Sequence, residues 1–77
     1  MLNLTIGTNT SRKKVIVDET DTLRAILESN NVNINVGTIH INGEVISRDN
    51  LDCTLEELEV SDQAFIIVAA KADNAKN

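Results

Sequence analysis

A chain of 77 residues with seven Lys and Arg against twelve Asp and Glu, a formal charge of −5, has room for one domain with one hydrophobic core and none for a separate catalytic domain. The negative balance repels phosphate backbones and offers no counterion release, which excludes a nucleic-acid binder on charge grounds, while a hydrophobic share of 42% is too high for a disordered chain. The single cysteine, Cys53, rules out an intrachain disulfide and points to a reducing, cytoplasmic setting; no stretch approaches the roughly 20 apolar residues that span a bilayer, and the N-terminus lacks the pattern of a secretory leader.

Leu2, Leu4 and Ile6 alternate with Asn3, Thr5 and Gly7, the period of a strand with one buried and one wet face. The turn formers Gly7-Thr8-Asn9-Thr10-Ser11 then lead into Lys14-Val15-Ile16-Val17-Asp18, so an antiparallel hairpin is expected, with Val15 and Val17 inward and Ile16 outward. Thr20-Asp21-Thr22 supplies capping oxygens, and Leu23, Ile26 and Leu27 have the spacing of an amphipathic helix. Asn30-Asn31 favours its end, because asparagine tolerates left-handed backbone angles. The Asn-rich run from Asn30 to Asn35 carries no chemistry that can be assigned.

Thr38-Ile39-His40-Ile41 alternates again, and Asn42-Gly43 is a tight-turn signal that leads to Val45-Ile46, a second hairpin. Leu55 and Leu58, three apart in Thr54-Leu55-Glu56-Glu57-Leu58-Glu59-Val60, suit one helical turn over the core. Phe65-Ile66-Ile67-Val68 reads as a central strand, followed from Lys71 by a polar, flexible tail. The domain therefore spans residues 1–70 and the tail 71–77.

The order strand, strand, helix, strand, short strand, helical turn, strand resembles an α+β, ubiquitin-like β-grasp domain: a mixed sheet of four to five strands with one main helix packed across one face. Asp21-Thr22-Leu23 and Thr54-Leu55-Glu56-Glu57-Leu58-Glu59-Val60 resemble the matching segments of ubiquitin. Ile41-Asn42-Gly43-Glu44-Val45-Ile46 with Ser47-Arg48 is similar to the sulfur carriers of thiamin and molybdopterin synthesis. In both groups the resemblance implies a C-terminal Gly-Gly that is adenylated by an activating enzyme, glycine being needed where the backbone must approach a reactive centre closely. This sequence has no glycine after Gly43 and ends at Asn77, so the expectation is the scaffold without the conjugation chemistry.

The resemblance also implies an apolar recognition patch on the open face of the sheet, centred on the third strand. Counting back from Asn42-Gly43 places His40 there, pointing opposite to Ile39 and Ile41; an ordinary solvated strand histidine is the competing reading. In the last strand one register, anchored on Val60, buries Ile66 and Val68 and leaves Phe65 and Ile67 beside His40, with Ile16 further across the sheet. The other register buries Phe65, the only aromatic residue, together with Ile67. The protein-binding set expected from the first register is His40, Phe65, Ile67 and Ile16.

A Cys53–His40 nucleophile and base would need hydrogen-bond contact and an orienting group, and Cys53 is read instead as a small buried thiol. No Cys/His spacing supplies a zinc site, and no cofactor or metal is expected. The functional expectation is a non-enzymatic module that binds another protein, as a monomer or weak homodimer. The alternatives are a carrier with an altered tail and, from the acidic run Glu56, Glu57 and Glu59, an acidic decoy of a host protein. The basic cluster Arg12-Lys13-Lys14 is too short to reverse the charge argument.

Overall fold

A computed structural model describes residues 1–70; the polar tail expected from Lys71 lies outside the described residues. The strands are β1 Leu2–Thr8, β2 Arg12–Val17, β3 Gly37–Ile41, β4 Glu44–Ile46 and β5 Phe65–Ala70, with one α-helix, α1 Leu23–Ser29. They form a single five-stranded sheet in the order β2-β1-β5-β3-β4. β1 runs parallel to β5, and the other neighbours are antiparallel. The sheet is thus mixed, as expected, and its two central strands come from opposite ends of the described chain.

The helix has seven residues, too short to hold itself in water, so packing of its apolar stripe supplies its stability. Leu23, Ile26 and Leu27 are buried against Leu4, Ile6, Ile39, Ile66 and Val68 from the sheet. At its start the Thr22 hydroxyl accepts from Ala25 N at 3.1 Å. At its end Asn31 takes a left-handed φ of 63°, Asn31 N donates to Glu28 O at 3.1 Å and Val32 N to Leu27 O at 2.9 Å. This paired pattern stops the helix and folds the next apolar residue back onto it, which is why Val32, in a run that looked featureless as sequence, is buried.

The same device recurs before β5. Thr54 and Glu57 cap each other reciprocally, Thr54 N to Glu57 Oε1 at 2.8 Å and Glu57 N to Thr54 Oγ1 at 3.1 Å. Leu58 N then closes one helical turn on Thr54 O at 3.1 Å, and Val60 N reaches Leu55 O at 2.9 Å, with Glu59 N on Glu56 O at 3.0 Å. Glu59 carries the left-handed φ, 57°, Leu55 is fully buried and Val60 nearly so. The expected single turn over the core is present, sealed by a glutamate where glycine costs least.

Sequence reading missed four core residues, Val32, Ile34, Leu51 and Ala64, and a short 3₁₀ helix, Arg48–Asp52, capped by Ser47 Oγ accepting from Asp49 N at 3.2 Å. Arg48 makes the loop before β3 possible. Its guanidinium donates to Ile34 O at 2.6 Å and to Asn35 Oδ1 at 3.0 Å, satisfying carbonyls that no ladder reaches while Ile34 turns inward. Cys53, expected as a buried thiol, is only half-buried at the end of this helix, with Sγ 3.9 Å from Asn50 Oδ1. At the other end of the sheet Asp62 accepts from Asn3 N at 2.7 Å, which holds its carboxyl below the usual aspartate range and ties the last loop to the start of β1.

Gly7 is required by close approach: a Cβ there would lie 2.0 Å from Ser11 O and 2.8 Å from Arg12 Cα. Gly7→Ala is expected to cost about 1–3 kcal/mol through this overlap, read as a lower denaturant midpoint at unchanged m-value. Glu59→Gly runs the other way. Relief of the left-handed strain outweighs the added freedom of the unfolded chain, for a net gain of about 0.5–1 kcal/mol in the same titration.

Candidate functional site

The helix covers one face of the sheet and leaves the other open. Which side chains reach that open face follows from the strand registers. Parallel pairing sets Ile6 beside Ile66, Thr5 beside Phe65 and Gly7 beside Ile67, and because Ile6 is fully buried under the helix, Ile66 and Val68 must be buried as well. Phe65 is left 47% exposed and Ile67 half-buried on the open side. The register that buries the aromatic residue is not the one adopted.

Antiparallel pairing extends the row, with Ile67 opposite His40, His40 opposite Val45, and Gly7 opposite Arg12. One line of residues, Arg12, Gly7, Ile67, His40 and Val45, therefore crosses all five strands. Gly7 has no side chain, so a trough opens between Arg12 and Ile67. The resulting concavity, about 500 Å³, is lined by His40, Phe65, Ile67 and Ala69, with Arg12 and the Asn42-Gly43 turn at its rim.

Three of the four residues expected from sequence, His40, Phe65 and Ile67, thus meet in one place. Ile16 does not join them. It lies on the same face and is 67% exposed, but it pairs with Asn3, and the Lys14–Thr5 pair stands between it and Phe65. Sequence reading passed over Val45, which is 62% exposed beside His40. The signal was available, because a two-residue Asn-Gly turn pairs Ile41 with Glu44 and hence His40 with Val45.

Two local contacts fix the geometry. The Thr38 hydroxyl stands 2.9 Å from His40 Nε2, orienting the ring along the strand. Asn42, with φ 52° in the turn, donates its N–H to Phe65 O at 2.8 Å and accepts from Phe65 N at 2.9 Å through Oδ1. The hairpin tip therefore holds the first residue of β5 by both backbone groups.

Charge is unevenly distributed. Arg12 and Lys14 are the only charged residues among the described strand positions that face the open side, and none of those positions is acidic. The carboxylates of Asp49, Asp52, Glu56, Glu57 and Glu59 sit instead on the loops between β4 and β5, where Asp52 pairs with Arg24 of the helix at 2.9 Å. His40 lies on the open face, while Cys53 O accepts from Leu23 N at 3.0 Å on the helix side, so the sheet separates the two. Among the described residues no group of three or more His, Cys, Asp or Glu converges as metal ligands do, and no helix is long and apolar enough to cross a membrane.

No protein-family model and no curated protein matches the chain. Solved structures do. The ubiquitin-like domain of an Arabidopsis thaliana protein superposes with a TM-score of 0.70 at 20% identity, covering 99% of this chain and 83% of that one. A ubiquitin-like protein from Trypanosoma brucei gives 0.67 at 19% identity, covering 92% and 95%. Caldiarchaeum subterraneum ubiquitin gives 0.66 at 15%, covering 96% and 98%. The chain has the ubiquitin-like β-grasp fold.

Asn42→Ala removes the acceptor for Phe65 N and puts a β-carbon with no local hydrogen bond into the left-handed region. A loss of about 1–2 kcal/mol is expected, together with faster amide hydrogen exchange at Phe65 than at the buried centre of β5.

Proposed function

We propose that the chain is a non-enzymatic cytoplasmic interaction module that seats one partner protein on the open face of its sheet, with His40, Phe65 and Ile67 at the centre and Val45 beside them. The observation that carries this reading is the bare apolar row: the single aromatic residue lies 47% exposed at the edge of a concavity although a buried alternative for it existed one register away. Leaving large apolar groups together in water costs about 25 cal/mol per Å², and such clusters mark interaction sites. The cations Arg12 at the rim and Lys14 on the same face favour a partner with carboxylates around an apolar anchor, since complementary charge steers association and fixes orientation. The ubiquitin-like character of the solved relatives supports a binding module.

Partner capture by the full chain in extracts of its native host, compared with variants of equal stability, tests the reading. Phe65→Ala and His40→Ala should each cost roughly 2 kcal/mol of binding, about 30-fold in Kd, with a circular dichroism melt close to that of the parent. Retention of the partner by both variants would overturn the open-face assignment. Adenylation of the chain by an activating enzyme and ATP would move it instead to the carrier class.

A further inference from the structure

The sequence has many asparagines, but only Asn42 precedes a glycine. We propose that Asn42-Gly43 is a self-modification site at which the backbone nitrogen of Gly43 attacks Asn42 Cγ, and that its product alters the open face. The nitrogen lone pair forms an N–Cγ bond and the N–H proton is lost. The Cγ–Nδ2 bond breaks, and Nδ2 departs with a proton as ammonia, leaving a cyclic imide. Water then opens the ring at Cγ to give aspartate, or at the main-chain carbonyl to give isoaspartate. No electrons are exchanged, and water is the only co-reactant.

Three features of this turn favour the step. Gly43 sits in open space, with nothing within 4 Å of where a Cβ would stand, so neither its own side chain nor a neighbour blocks the attacking nitrogen. Every other asparagine within the described residues is followed by a larger residue: leucine after Asn3 and Asn50, threonine after Asn9, asparagine after Asn30, valine after Asn31 and Asn35, isoleucine after Asn33. The carbonyl under attack is also polarised in advance, because Phe65 N donates to Asn42 Oδ1 at 2.9 Å, where negative charge develops in the tetrahedral intermediate. Asn42 Nδ2 makes no hydrogen bond among the described residues, so the leaving group is unencumbered.

The products act on the face described above, and this consequence rests on the open-face reading. Aspartate keeps the acceptor for Phe65 N but places a carboxylate on the rim of a face whose outward strand residues include none. Isoaspartate inserts an extra backbone carbon into a two-residue turn, which cannot then hold His40 opposite Val45.

The test keeps the folded full chain at mildly alkaline pH and maps its peptides by mass spectrometry over time. Asn42 is expected to convert first, at least roughly tenfold faster than any other asparagine, a difference of about 1.4 kcal/mol in barrier. Isoaspartate should be present at this position, a product that direct hydrolysis of the side-chain amide does not give. An intact Asn42 beside converted asparagines elsewhere, or aspartate without isoaspartate, would overturn the proposal. Gly43→Ala should slow conversion; if it unfolds the hairpin, the isoaspartate content of the parent protein remains the deciding readout. Asn42→Asp should weaken partner capture, and capture that depends on Phe65 yet ignores Asn42→Asp would overturn the effect on the open face while leaving the chemistry standing.

Discussion

The parallel pairing of β1 with β5 is the constraint on which the rest of the structure depends. It joins opposite ends of the described chain and sets Ile6 against Ile66 and Gly7 against Ile67. Side chains alternate with a period of two along a strand, so this one alignment decides that Ile66 and Val68 meet the helix and that Phe65, Ile67 and Ala69 do not. A slip by one residue would bury the phenylalanine, expose two fully buried aliphatic side chains and erase the concavity. Either register buries two large apolar side chains, worth roughly 1.5–3 kcal/mol each, so the choice between them rests on how the side chains fit beneath the helix and not on apolar area alone.

Alignment of that kind needs support where β5 begins, and the chain supplies it with polar contacts. Upstream, Asp62 holds Asn3 while Gln63 N reaches Asn3 O at 2.6 Å. At the first residue of the strand Asn42 clasps the backbone of Phe65 from the hairpin tip. The residue that carries the exposed ring thereby has both its main-chain groups held, and a rigid anchor loses less freedom when a partner arrives.

Much of the fold was legible in the residues. Alternation in Leu2 to Ile6, the Thr22 cap, the Leu23, Ile26 and Leu27 stripe and the Asn42-Gly43 turn are all local signals, each with one physical meaning, and each element forms where it was expected. The segments that were not legible depend on contacts distant in sequence. Val32 and Ile34 are buried because a left-handed Asn31 and the Arg48 guanidinium fold their loop inward, and nothing in an Asn-rich run announces an arginine more than ten positions away. The 3₁₀ helix from Arg48 to Asp52 has no apolar period of its own, only Leu51 pointing down.

Of the candidate site, the residues could be proposed from the chain but not their assembly. Sequence by itself determined that four successive apolar residues in Phe65-Ile66-Ile67-Val68 must present two to each face, and that a tight turn sets Val45 beside His40, because strand alternation and turn geometry are properties of neighbouring residues. Tertiary structure alone decided which two face outward, and that Ile16 stands apart from them. Those outcomes rest on the register between strands some sixty residues distant, and register is fixed by the shape of a shared core that no short stretch of chain contains.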